Sequence, residues 1–482
     1  MKSLPLSDQI DNRMTQTLNH AITRGGDERI ELKSNGLNKY LVDPTDAAGM
    51  LNRGSCTCSA LSTDVRLKVE GVFNKLNSSE VSVEDIRIKQ RFRIKALLQD
   101  MYTYDFNIFF APSGSDLCYY PLLFSKIISP NKPIISLITC PEELGTGSIL
   151  ANRGMYFSEK TQVLTSVEKG NPLNEELQVD YLLFPARAED GSIMDHKREI
   201  YDAISKYKDT HTVIVNLVIG SKSGIEDNVS IIQDGPKDVT WVVDLCQMRA
   251  TPKLFNELLA ANCLLMITGS KFYQSPPFCG ALLVPETYAK DVVSSEVSKE
   301  MVKGFDSIYG RFDIPPSYKK LRALFEPIEN IGLTLRWEAA ICESENLTKY
   351  TEREATFAIS LWNKNVVDYL KSKKTFSLMR DQNKTNRSII SFMVNGKNGL
   401  LDIVQLKKLY ERLLLHGHEY QTKYRKLMIG QPVEYESHSF IRLALGSTNV
   451  RKLIETDIDL SDDFMLIDII EKIAQEIESG ED

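Results

Sequence analysis

No stretch of this chain approaches the ~18 consecutive apolar residues that a membrane helix needs, so a helical span is excluded. No long basic block occurs either, and the net charge is −7 from 58 basic and 65 acidic residues. A nucleic-acid surface needs concentrated positive charge, so that partner class is excluded. The densest basic patch, Arg87 to Lys95, alternates with apolar residues and reads as one face of a helix. The eight cysteines are scattered, and Cys56 and Cys58 are the one close pair. Without a second pair or nearby histidines they make no metal site, and none is expected. Scattered thiols fit a reducing, cytoplasmic compartment. The opening residues 1–11 hold no continuous apolar segment, so no signal peptide is expected. Internal repeats and low-complexity tracts are absent.

What is present is an ordinary globular composition, 42% hydrophobic and 26% charged over 482 residues, enough for a large core. Residues 1–80 begin as a polar arm with loops, and helices are expected over 64–76 and 83–103. In the second, Ile86, Ile88, Phe92, Ala96, Leu97 and Met101 fall near one side. Residues 81–316 read as the main unit. Its candidate strands are 106–111, 133–139, 162–166, 181–185, 212–219, 239–244, 263–268 and 281–284, with helical stretches at 117–128, 195–206 and 252–261. Near-continuous apolar runs such as Ile134–Ile138 suit a parallel sheet covered on both faces. The βαβα order predicts an α/β fold with a doubly wound, mainly parallel sheet. Connecting helices are expected over 317–370. A smaller α+β unit is expected over 371–482, with strands near 375–379, 388–394, 424–430 and 440–444 and helices at 401–415 and 461–477. Ser461 is the expected N-cap of the last helix.

Three strand ends carry chemistry. Ser113-Gly114-Ser115-Asp116 lies between a strand and a helix. There glycine lets the backbone approach closely, and a helix start offers N–H groups to a phosphate. The strand Trp241-Val242-Val243 ends in Asp244, with Gln247 three residues on. A carboxylate at such a point can pair with a protonated pyridine nitrogen, and Gln247 can donate to a phenolic oxygen. The run Cys263–Ile267 leads into Thr268-Gly269-Ser270-Lys271. A desolvated amine there can form a Schiff base, and when released it can act as a base at Cα. Thr268 and Ser270 are candidate phosphate donors. A phosphate cradle, an acid and a lysine in that order suit pyridoxal 5′-phosphate (PLP). Arg442, on a probable strand of the smaller unit, can grip an α-carboxylate with two hydrogen bonds.

With those residues in place, the chain resembles the fold-type I PLP-dependent enzymes, nearest the class V aminotransferase and cysteine desulfurase group. The group's Asp-x-x-Gln is matched by Asp244-Leu245-Cys246-Gln247. Its Ser/Thr-x-His-Lys appears as Thr268-Gly269-Ser270-Lys271, and its Val-Arg-x-Ser strand resembles Ile441-Arg442-Leu443-Ala444. The resemblance covers about residue 80 onward. It implies an enzyme acting on a small amino acid, and a homodimer with shared active sites, in which Ser275 of one subunit reaches the other's phosphate. It also implies a PLP Schiff base on Lys271, with amino-group transfer as the expected reaction and β/γ-elimination or replacement as the alternative.

The departures are specific. The ring-stacking histidine of the group is missing from Cys140–Gly147, which leaves Glu142, Glu143 or Thr146 to face the ring. The histidine before the lysine is Ser270, and the usual Gly-Pro-x-Gly is replaced by Ser275-Pro276-Pro277-Phe278-Cys279-Gly280. A desulfurase needs a mobile thiol near the substrate arginine, yet no cysteine follows Cys342. Cys56 and Cys58, in a small-residue loop of the arm, are the candidates that remain, and a thiol without a thiolate-stabilising setting is inert. Two other readings compete. Gly145-Thr146-Gly147-Ser148 with Glu168 echoes a dinucleotide fingerprint, but Leu150 stands where the third glycine belongs. A non-catalytic protein of the same fold would have no need of Asp244, Gln247 and Lys271 together.

Overall fold

The computed structural model describes residues 17–54, 59–98, 104–145, 147–164, 166–379, 387–435 and 438–477. Two sheets organise them. A short strand, β1 (Met50–Arg53), comes first. The larger sheet then takes β2 (Phe106–Ala111), β3 (Ile134–Thr139), β4 (Val179–Phe184), β5 (Thr212–Val218), β6 (Thr240–Asp244), β7 (Leu264–Thr268) and β8 (Gly280–Pro285). The smaller sheet uses β9 (Phe376–Leu378), β10 (Ile389–Gly396), β11 (Gly399–Leu400), β12 (Lys426–Glu434) and β13 (Ser439–Ala444).

The larger sheet has seven strands in the order β2-β8-β7-β6-β5-β3-β4. The pairings from β4 through β3, β5 and β6 to β7 are parallel, and β8 runs antiparallel between β7 and β2. Its inner strands are buried except at Thr212 and Asp244, which are half-buried; Leu264, Leu265 and Ile267 are fully enclosed. A strand covered on both faces has no polar side to alternate with, which is why these segments read as unbroken apolar runs. The doubly wound α/β expectation is met.

The smaller sheet has the path β1-β12-β13-β10-β11, with β9 also paired to β10. Its first strand is supplied by the segment expected to be a loose arm: β1 pairs in parallel with β12, Met50 opposite Lys426. Arg53 then locks the arm to the last helix, Ser461–Glu476. Its guanidinium makes two bonds to Asp463, at 2.7 and 2.8 Å, and the indole N–H of Trp362 donates to the same carboxylate at 2.9 Å.

Three local expectations are corrected. Residues 162–166, expected as a strand, are not one over the described part; the Thr161 hydroxyl accepts from the N–H groups of Val163 and Leu164 and so takes donors that a ladder would use. In the helix Val83–Leu98 the buried face is Val83, Ile86, Arg87, Gln90, Arg91, Ile94 and Leu98, while Phe92 is 69% exposed. The basic patch is therefore turned inward: Arg87 and Arg91 lie 4.6 and 4.8 Å from the Phe110 ring centre, and Arg91 donates to the Ile108 carbonyl. Guanidinium planes stack on aromatic faces, so an inward arginine row substitutes for an apolar stripe. Finally, Ser461 is the first helical residue and not the cap; Asp459 accepts from its N–H at 2.9 Å.

Removing one partner of a buried ion pair strands the other charge. Arg53→Met is expected to cost about 3–5 kcal/mol in urea unfolding, and the double exchange with Asp463→Leu is expected to cost less than Arg53→Met alone. A single variant within about 1 kcal/mol of the parent chain would show that the arm is not anchored here.

Candidate active site

Strand register gathers the site. Gly280 of β8 pairs with Ala111 on one side and Thr268 on the other. Ser113 and Lys271 thus leave the sheet just beyond one shared row. Asp244 pairs with Met266 and Val218, so the acid ends the neighbouring strand on the same edge. Ligands of open α/β sheets bind outside such carboxyl ends. Gly280 must be glycine for this geometry: a Cβ there would lie 2.6 Å from the Ser113 carbonyl oxygen.

Cys246 is the hub. A Cβ on Gly114 would come within 3.2 Å of its sulfur and 3.3 Å of the Thr268 methyl. The Thr268 hydroxyl donates to the Cys246 carbonyl at 2.7 Å, and Asp244 accepts from the Cys246 N–H at 2.8 Å. Burial and then the Asp244 charge push the Cys246 thiol well up, while Lys271 pulls the other way. The acid and the glycine turn therefore both adjoin Cys246, and the Lys271 charge acts on its thiol. Lys271 is half-buried. Gln247 is 4% exposed, and its amide oxygen has no donor among the described residues. A buried amide left unpaired costs about 1–3 kcal/mol, the mark of a place where a ligand group completes the bonding.

The turn itself divides its hydroxyls. Ser113 donates to Asp116 at 2.6 Å and receives Arg29 at 3.4 Å. The Ser115 hydroxyl lies 3.3 Å from that of Ser148, and both border the bare Cα of Gly145. Ser148 and Asp244 also line a small cleft of about 10 Å³ with Cys118, Thr139, Asn152 and Asn216. The Ser113 hydroxyl is thus committed within the chain, while that of Ser115 faces Ser148.

The other residues singled out from the sequence fall as follows. Ser270 is buried beside Lys271. Ser275, expected to reach a partner subunit, is 2% exposed, with its hydroxyl on Pro276 O at 3.0 Å and against Cys279. It is turned into its own chain because the loop folds back under Gly269. Glu143 accepts from Ser221, from the N–H and hydroxyl of Ser223, and from Tyr435. Glu142 accepts from the Ala186 N–H at 3.1 Å. Both carboxylates hold loops together. Arg442 is 3% exposed on β13, and its Nη1 donates to Gln431 O at 3.0 Å. Gly147 opens a helix of only five residues, Ser148–Asn152, too short a dipole for a dinucleotide pyrophosphate. Thr146, Cys56 and Cys58 lie outside the described residues.

Three further groups were not anticipated. Arg29 pairs with Asp27 at 2.6–2.7 Å between the rings of Phe157 and Phe278. Arg249 donates to the Ser388 hydroxyl from the loop after Gln247. Lys222 stands in Gly220-Ser221-Lys222-Ser223-Gly224, directly after β5. That small-residue turn after an apolar strand has the same form as the turns before Asp116 and Lys271, a signal legible in the sequence.

Asp116 gives a pH test. Burial first, and Asp27 second, push its carboxyl up to about 7, against the Ser113 hydrogen bond and Arg29. An unfolded aspartate titrates near 3.9, so the folded chain holds a proton that the unfolded chain has lost. That contribution is full below about pH 4 and is lost as pH rises through about 7. Melting of Asp116→Asn is expected to match the parent near pH 4.5 and to exceed it at pH 8. A difference that does not change with pH contradicts this.

No protein-family model and no curated protein matches the chain. Solved structures do. A NifS-like protein from Rickettsia africae superposes with a TM-score of 0.52 at 13% identity, covering 86% of this chain and 98% of its own. The ureidoglycine–glyoxylate aminotransferase of Bacillus subtilis gives 0.52 at 13%, covering 90% and 96%. The TDC of Oryza sativa, solved with PLP and tryptamine, gives 0.53 at 11%, covering 98% and 90%. The chain therefore has the fold of the fold-type I PLP enzymes, as its Asp-x-x-Gln and lysine motifs implied.

Proposed function

We propose that this protein is a PLP-dependent enzyme that transfers the amino group of an amino acid. The observation that carries the reading is the convergence of the Gly114 turn, Asp244 and Lys271 on one sheet edge, with Gly114 and Asp244 both against Cys246. These residues fit the cofactor group by group. Gly114 and Ser115, with the helical turn that follows, face a phosphate. Asp244 would meet a pyridinium, the Gln247 amide N–H a phenolic oxygen, and Lys271 an aldehyde. When bound, PLP supplies an electron sink for charge released at the substrate's Cα.

The chain's own side chains do the rest. Asp244 keeps the ring nitrogen protonated by placing a carboxylate at the end of β6. Lys271 holds the cofactor through Nζ. Its free amine would be the base that takes the substrate's Cα proton and carries it onward. Arg442 orients the substrate by its α-carboxylate. A homodimer is part of the proposal.

A single-turnover test separates transfer from elimination. With saturating PLP and a panel of L-amino acids, the expected outcome is one equivalent of oxo acid with the cofactor left in its amine form. Release of ammonia with the cofactor unchanged would instead establish elimination. Lys271→Ala is expected to lose the visible band and at least about 10³-fold in rate, the scale of proton transfer by a positioned base. Retention of both would remove the proposal.

A further inference from the structure

Lys222 is a second amine at the same sheet edge. The turn that carries it begins at Gly220, whose left-handed φ of 74° bends the chain directly off β5. A Cβ at Gly220 would sit 3.7 Å from the Gln247 side chain, so the turn lies beside the Asp-x-x-Gln loop. On its other side it touches the smaller sheet. Ser391 is paired with Arg442 across β10 and β13, and its hydroxyl reaches the Ser223 carbonyl at 3.4 Å. Lys222 therefore stands between the cofactor-facing loop and the strand of Arg442.

The bonding of this corner leaves positive charge to spare. Lys222 Nζ donates to a peptide carbonyl, Glu142 O, at 3.2 Å. The Glu143 carboxylate in this corner accepts from two serines, a peptide N–H and Tyr435. Arg442 likewise uses Nη1 on a carbonyl, and its stem is held so tightly that a Cβ on Gly430 would fall 2.2 Å from its Cγ. Burial first and the nearby Arg442 second lower the Lys222 amine to about 8, against Glu143 and Glu142, with Lys271 adding to the repulsion. Two cations held close together against their mutual repulsion are stabilised by an anionic ligand that spans them.

We infer that Lys222 and Arg442 form a paired anion subsite, and that the substrate is an amino acid bearing a second anionic group: a side-chain carboxylate or a phosphoryl group. The inference rests on the amino-acid reading above and specifies its substrate class. Arg442 takes one anion and Lys222 the other, and an amino acid with an apolar side chain leaves Lys222 unsatisfied. Lys222 is here a specificity-determining residue.

The test uses ligands without an amine, so it does not depend on chemistry at Lys271. Calorimetric titration with succinate and with butyrate compares two four-carbon acids that differ by one carboxylate. It is run on the chain with and without PLP. Succinate is expected to bind at least about tenfold more tightly, the value of one charge-assisted hydrogen bond. Lys222→Gln is expected to reduce the preference to about threefold or less, and Lys222→Arg to retain most of it. 3-Phosphonopropionate tells the two anion types apart: tighter binding than succinate points to a phosphoryl group, weaker binding to a carboxylate. Equal binding of succinate and butyrate by the parent chain, or a preference that survives Lys222→Gln, overturns the inference. If Lys222→Gln does not fold, loss of the preference in Lys222→Arg overturns it instead. A missing cofactor adduct at Lys271 would sink the enzyme reading and leave these binding results standing.

Discussion

The register of β8 between β2 and β7 is the constraint on which the site depends. Gly280 pairs with Ala111 and with Thr268, so the turn at Ser113 and the lysine at 271 leave the sheet from one row. The parallel pairing of β6 with β7 then places Asp244 one strand away. A side chain reverses face with every one-residue slip of a strand. A shift of β7 by one position would send Thr268 away from Cys246 and carry Lys271 with it. The strands are buried on both faces, so such a slip is opposed by the packing of Leu265 and Ile267.

Charge is arranged around that frame by pairing acids with neutral donors. Glu143 is enclosed by serines and a tyrosine, and Glu142 holds a backbone N–H. Asp116 accepts from Ser113 and is driven toward its neutral form by burial. The carboxylates of Glu142 and Glu143 are thereby directed at loop donors, while Lys222 and Arg442 each bond to a peptide carbonyl at the sheet edge. Anion affinity is built from this imbalance. Arg29, anchored by Asp27 and reaching Ser113, extends the same principle to the turn that faces the phosphate.

Much of this was legible in the sequence where a local rule coincided with the global fold. Apolar runs gave the strands of the larger sheet. Small residues at strand ends marked Ser113–Ser115, Asp244 and Lys271. The failures have physical causes. Arg87 and Arg91 are buried by stacking on Phe110, and hydrophobic periodicity counts an inward arginine as a surface residue. The arm around Met50–Arg53 becomes a strand through pairing with Lys426–Ile429, a contact far along the chain that no local pattern encodes. Ser275 looked like a donor to a partner because of its position after the lysine, but the loop turns its hydroxyl onto Pro276 and Cys279. Lys222 stands in a Gly-Ser-Lys-Ser-Gly turn, but a single lysine after a strand carries little signal by itself.

Two lysines, 222 and 271, each follow a strand of the larger sheet, β5 and β7, and do different work. The most direct measurement is peptide mass spectrometry after borohydride reduction of the protein incubated with PLP. The account predicts one pyridoxyl group per chain, on the peptide containing Lys271, with Lys222 unmodified. A label on Lys222 in place of Lys271, or no label on either, would contradict it.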